Sequence, residues 1–281
     1  MRLGARELDL SRPLLVGILN VTPDSFSDGG NLPDLEAVLR RAEAMVRDGA
    51  DLLDLGGEST RPGAHPVSVQ VELDRVLPAV EALRARLDVP LSVDTRRAAV
   101  AEPALRLGAT MINDVSGFGD PDMGRVVANA GAAWVLMHMP HAMGQMGASL
   151  RSEGMPEGVY EGLERITADL AEVVDRAVTA GVERGQLALD PGIGFGKTLG
   201  QNLALLRGAG SLVRLGLPVY LGPSRKSFIG AICGAPTDDR LMGTAAAVTA
   251  GALAGAAFLR VHDVRQMRQV LDVAIALRDA I

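Results

Sequence analysis

Cysteine is nearly missing from these 281 residues: Cys233 stands alone, so no internal disulfide can form. Histidine is scarce as well, and the four present are scattered without the spacing of a zinc site. Aromatic residues make up only 3% of the chain, which leaves a core of small aliphatic side chains packed closely. Positive charge is not in excess. The formal net charge is −6, whereas a nucleic-acid binder carries a basic surface. The expected partners are therefore small molecules, with no nucleic acid and no membrane. One uncharged stretch of membrane-spanning length runs from Leu241 to Leu259, but it is mostly Ala, Gly and Thr and reads as a buried helix. The opening MRLGARELDLSRPLL lacks the apolar run of a signal peptide, and a cytoplasmic location is expected.

A nucleotide-binding loop is missing too, although DPGIGFGKT at 190–198 resembles one at first sight. A P-loop places four residues between its first glycine and the Gly-Lys-Ser/Thr, because that length lets backbone N–H groups wrap a phosphate. Gly192 and Gly196 enclose three, and the residue before Gly192 is Pro191, which has no N–H to give. The dinucleotide pattern fails as well, since Lys197 stands where its third glycine belongs.

What the chain does contain is a regular alternation. Short β-rich runs occur at 14–19, 51–55, 90–93, 110–113, 133–137, 187–189, 218–222 and 257–261, with amphipathic helical stretches such as 34–48, 68–87 and 160–180 between them. Glycine closes several of these helices just before the next strand, as at Gly49-Ala50 and Gly181-Val182. Eight strand-helix alternations without a linker or a shift in composition predict an α/β fold, a single (β/α)8 TIM barrel over 1–281. A doubly wound open sheet is the other arrangement with this alternation. The segment 139–158 is long for a βα connection, a length usually associated with function.

In such a barrel the residues at the strand C-termini face the site. Here every strand ends in polar groups: Asn20; Asp54; Asp94-Thr95-Arg96; Asn113-Asp114; His138; Asp190; SRKSF at 224–228; and Arg260-Val261-His262-Asp263. Taken singly, each has an ordinary explanation, as an N-cap, a turn residue or a solvated loop tip. Eight converging on one rim do not. Arg61, Arg260 and His262 are donors suited to an anionic group, and arginine holds phosphate bidentately. Asp94, Asn113 and Asp190 offer acceptors for a flat heterocycle rich in N–H groups. No Ser/His/Asp or Cys/His arrangement supplies a covalent nucleophile.

NVTPDSFSDGG, GADLLDLGGESTRPGA, LSVDTRRA, GATMINDVSGF, LDPGIGFGKT, GPSRKSFIG and LRVHDV, in this order and spacing, resemble the dihydropteroate synthase family of folate biosynthesis, from about residue 14 to 275. That resemblance implies a transferase joining 6-hydroxymethyl-7,8-dihydropterin diphosphate to p-aminobenzoate with release of pyrophosphate. It implies Asp94, Asn113, Asp190 and Lys226 on the pterin, with Asp190 at the amino-pyrimidine edge and Lys226 near the ring carbonyl. It implies Asn20 on Mg²⁺, and Arg61, Arg260 and His262 on the diphosphate, with Lys226, Asp94, Arg260 and Arg61 the catalytic group. Thr60, Pro62, Phe195, Ser224 and Phe26 would frame the p-aminobenzoate, and the assembly would be a homodimer through late helices. The chain departs from the usual pattern at Pro140, Gln201 and Pro223. A pterin-binding methyltransferase shares the heterocycle residues but would not need the anion-gripping SRKSF and RVHDV. A non-catalytic binder would be expected to lose Lys226, Arg61 or Asn20.

Overall fold

The computed structural model describes residues 1–4, 6–22, 34–59, 65–139 and 159–280, with side chains of the helix that opens at Val159 described from Gly162 on. A small antiparallel hairpin, β1 (Arg2–Leu3) with β2 (Arg6–Glu7), comes first. The chain then runs β3 (Leu14–Asn20), α1 (Leu35–Arg47), β4 (Leu52–Gly56), α2 (Val69–Arg86), β5 (Leu91–Asp94), α3 (Ala98–Arg106), β6 (Met111–Asp114), α4 (Met123–Ala130) and β7 (Ala133–Met137). It continues through α5 (Val159–Thr179), β8 (Leu187–Asp190), α6 (Leu199–Arg207), α7 (Ala209–Leu212), β9 (Tyr220–Leu221), α8 (Ser227–Cys233), α9 (Leu241–Leu253), β10 (Phe258–Val261) and α10 (Val264–Asp279).

The eight strands from β3 onward pair in parallel in the order β8-β7-β6-β5-β4-β3-β10-β9. A parallel bridge between Leu189 and Val219, with Leu189 N–H donating to the Pro218 carbonyl at 2.9 Å, joins the two ends. The sheet is thus closed into a TIM barrel, and the open-sheet alternative is excluded.

Local sequence accounts for the helices. Asp34 caps α1 by accepting from Glu36 N–H, and the helix buries Val38, Leu39, Ala42 and Met45, one stripe at helical spacing. Ser68 caps α2 in the same way through Val71 N–H. At α6, Thr198 and Gln201 form a reciprocal capping box, which gives Gln201 a structural role. The uncharged α9 buries Thr244, Ala247, Val248, Gly251 and Ala252. Among the described residues no helix is long and apolar enough to cross a membrane.

The core has two parts. One lies between strands and helices. The other fills the barrel with Leu14, Val16, Leu52, Met111, Ala133, Val135, Ala188, Tyr220 and Phe258, closed at the bottom by Leu3 of the hairpin. Strand side chains alternate faces, so the inward position two residues further along carries the same orientation. Leu52 is followed by Asp54, Met111 by Asn113, Ala188 by Asp190 and Phe258 by Arg260. The lumen therefore changes from apolar to polar within one inward step on four strands, and that step sets the floor of the site.

Candidate active site at the C-terminal mouth of the barrel

The floor is an ion cluster. Arg260 donates from Nε to Asp54 at 2.6 Å and from Nη2 to Asp94 at 2.8 Å, while Asn113 donates from Nδ2 to Asp54 at 3.0 Å. Asp54, Asp94 and Asn113 are all buried. Burial raises Asp94 above the usual carboxylate range, with Arg260 opposing and Asp54 assisting. For Arg260, burial disfavours the charge, but the Asp54 and Asp94 carboxylates more than offset that and raise it above its already high ordinary value. None of the three caps a helix: α3 begins at Ala98 with no side-chain cap.

Beside this floor stands Asp190, buried at the end of β8. Its Oδ1 accepts from Gly192 N–H at 2.7 Å. Burial raises its pKa, with that hydrogen bond, Lys226, Lys197 and Arg260 pulling it back. The loop that follows is built on glycines with positive φ. A Cβ on Gly192 (φ 72°) would lie 2.4 Å from the His138 carbonyl, and one on Gly194 (φ 81°) 2.7 Å from Lys226 Cδ. Lys226 therefore runs along the loop backbone, and its Nζ sits 3.8 Å from the centroid of the Phe195 ring. Burial lowers Lys226 to about 8, with Asp190 opposing.

Lys226 follows Arg225, a non-glycine residue at φ 56°, a conformation costing about 1–2 kcal/mol. It is held there by a two-point pair with Asp263 (3.0 and 2.6 Å), by Thr244 Oγ1 on its N–H and by Arg240 on its carbonyl. The reversal turns Ser224 toward His262, whose Nδ1 lies 3.0 Å from Ser224 Oγ, and Lys226 toward Phe195. Pro223 is buried, and its carbonyl accepts from Lys226 N–H.

The residues assigned to the site from sequence thus fall into two groups. Asp94, Asn113, Asp190, Lys226, Phe195, Arg260, Ser224 and His262 all line the mouth, and Asn20 ends β3 on the same side, half-buried next to Gly56. Phe26, Thr60, Arg61, Pro62 and Pro140, with nearly all of the 139–158 segment, lie outside the described residues. Three further residues shape the site without having been assigned to it. Asp54 appears among the strand ends but carries no role until Arg260 is seen on it. Lys197 is buried, with Nζ donating to the His138 and Phe195 carbonyls at 3.1 Å each. Asn202 accepts from Gly194 N–H at 2.6 Å and donates to the Lys197 and Thr198 carbonyls.

A bowl of acceptors beside a cluster of cations suits a nitrogen-rich ring carrying an anion. A family model described as pterin binding enzyme matches residues 16–262. The chain belongs to this family. Two of its relatives within the family are alike over nearly their whole length. The dihydropteroate synthase of Synechocystis is 45% identical, with 95% of this chain and 90% of that protein covered, and that of Bacillus subtilis is 43% identical, with 95% and 89% covered. Among solved structures, a Yersinia pestis dihydropteroate synthase with a sulfonamide drug superposes at TM-score 0.89 and 43% identity, covering 99% of this chain and 100% of that one. A Xanthomonas albilineans dihydropteroate synthase with 7,8-dihydropteroate gives 0.86 and 39%, covering 100% of both.

Proposed function

We propose that this pterin-binding enzyme is a dihydropteroate synthase: it joins 6-hydroxymethyl-7,8-dihydropterin diphosphate to p-aminobenzoate, forming 7,8-dihydropteroate and pyrophosphate. The observation that carries the reading is the convergence of Asp94, Asn113, Asp190 and Lys226 at one barrel mouth, in a chain alike to such synthases along its length. Asp190 takes the amino-pyrimidine edge with its free acceptor positions, Asn113 and Asp94 meet the ring nitrogens, and Lys226 donates to the ring carbonyl. Arg61 and His262 hold the diphosphate, and Arg260 adds positive charge from below. Phe26, Thr60, Pro62, Phe195 and Ser224 frame the p-aminobenzoate, where a sulfonamide would compete.

The reaction breaks the bond between the exocyclic methylene carbon and the diphosphate oxygen, whose electron pair leaves with pyrophosphate. The aniline nitrogen supplies the pair for the new C–N bond and then gives up a proton. The pterin spreads positive charge from the methylene carbon into its ring, so bond breaking runs ahead of attack and no protein nucleophile is needed. Cations fixed around the departing oxygens stabilise the charge they gain.

Mg²⁺ belongs to this reading. Among the described residues no three His, Cys, Asp or Glu side chains are grouped to hold a metal, but Mg²⁺ commonly takes one or two protein ligands and completes its shell with phosphate oxygens and water. The half-buried amide of Asn20 fits that role, and the ion when bound would neutralise diphosphate charge. The same reading includes a cytoplasmic setting and a homodimer. Met242 on α9 is 79% exposed and Val273 and Leu277 on α10 are 61% and 57% exposed, an apolar surface that a second subunit would cover. Sedimentation showing a monomer at micromolar concentration would remove the dimer. Incubation with the pterin diphosphate, Mg²⁺ and labelled p-aminobenzoate tests the activity. Formation of labelled dihydropteroate with pyrophosphate supports it, and their absence refutes it.

A further inference from the structure

Lys197 is the buried cation to which the reaction as described gives no task. Its side chain is 2% exposed, and both partners of its Nζ are backbone carbonyls, those of His138 and Phe195. Holding an amine in such a place is costly: burial pulls Lys197 down to about 7, with Asp190 opposing and Lys226 reinforcing the shift. A packed aliphatic side chain would fill the space without that cost, so the donors themselves matter.

What they join is specific. His138 follows β7, and Phe195 lies in the loop after β8, so one amine ties two neighbouring loops of the mouth together. Asn202 holds the same loop through Gly194 N–H and the Lys197 carbonyl. Between these two braces the backbone has little freedom, and it is this backbone that Lys226 lies against at Gly194 before ending over Phe195.

We propose that Lys197 is a positioning residue for the reaction, acting through Phe195 to fix where the Lys226 ammonium stands over the pterin site. The proposal rests on the dihydropteroate synthase reading. It is tested by a double-mutant cycle on the affinity for 6-hydroxymethylpterin without phosphates, measured by calorimetry in wild type, Lys197→Met, Lys226→Met and the double variant. Lys197→Met is expected to weaken binding about tenfold in the wild-type background, the scale of one lost hydrogen bond to a charged group. In the Lys226→Met background it is expected to have almost no further effect, because the group it positions is gone. Lys197→Arg, which keeps donors for both carbonyls, is expected to recover part of the affinity, and it replaces Lys197→Met in the cycle if that variant does not fold. Additive losses, or unchanged affinity in the single variant, would overturn the proposal. Should the wild-type protein itself fail to bind the pterin, it is the functional reading that falls.

Discussion

Arg260 on β10 reaches past β3 to Asp54 on β4, with Nε to Oδ2 at 2.6 Å, and extends its other arm to Asp94 on β5. One guanidinium therefore ties three strands at the level where the lumen turns polar. Asp54 is fully buried and also accepts from Asn113. Replacing it by alanine leaves Arg260 short of its nearer counter-charge and Asn113 without its acceptor. Breaking a buried pair in this way costs about 3–5 kcal/mol. Asp54→Ala should lose that much stability in denaturant titration at pH 7, and a loss below about 1 kcal/mol, the level of an exposed pair, would mean that water already reaches the cluster.

The same cluster changes what Arg260 is expected to do. From sequence it is a diphosphate ligand, so its removal should spare a pterin that lacks phosphates. With its arms on Asp54 and Asp94, its removal also leaves two carboxylates without their guanidinium beneath the proposed ring site. Arg260→Ala should weaken binding of the phosphate-free pterin as well as the diphosphate, by about tenfold or more for each. If calorimetry showed only the diphosphate affected, Arg260 would have to release the carboxylates when substrate enters.

The barrel was legible because each of its strands is a short apolar run between helical stretches, several of them closed by glycine, and the eight predicted runs fall within a few residues of the observed strands. The hairpin Arg2–Glu7 was not, since two-residue strands have no periodicity to read. The polar rim was legible because every predicted strand run ends in or is followed by polar residues, Asp54 and Asp190 among them. Partnerships across the barrel were invisible: nothing local in the sequence relates residue 260 to residue 54. Lys197 was hidden for a different reason. A lysine in a glycine-rich turn reads as exposed, and only the fold brings the His138 carbonyl to it.

Lys226 is the group whose titration the site should report. Burial lowers it to about 8, so the ammonium is present below that pH and is lost as pH rises through it. In the proposed reading the charged form donates to the pterin carbonyl, so kcat/KM for the pterin diphosphate should fall above pH 8. Lys226→Arg keeps its charge throughout the accessible range, so its weaker activity should lack this alkaline limb. A limb that persists unchanged in Lys226→Arg would assign the titration to another group.

Asp190→Asn separates binding from stability. The carboxylate already accepts from Gly192 N–H at 2.7 Å, and an asparagine oxygen can take over that bond. In the proposed pterin pose its amide nitrogen would then face the ring edge, a donor facing donors. Losing a charged hydrogen bond there costs about 1.5–3 kcal/mol, which is roughly ten- to 150-fold in pterin affinity. Stability should move the other way. Burial is the largest influence on Asp190 and raises its folded pKa above the ordinary carboxylate value. The folded state consequently holds the proton more tightly than the unfolded chain, so wild-type stability falls as pH rises through the window between the two pKa values and stays lowered above it. Asparagine carries no such penalty. Asp190→Asn should therefore melt higher than wild type at pH 7, and the difference should shrink as pH falls toward 4. A variant that binds pterin weakly and also melts lower at neutral pH would show that the Asp190 charge holds the loop itself, through Gly192 and the neighbouring lysines, rather than being kept for the ligand.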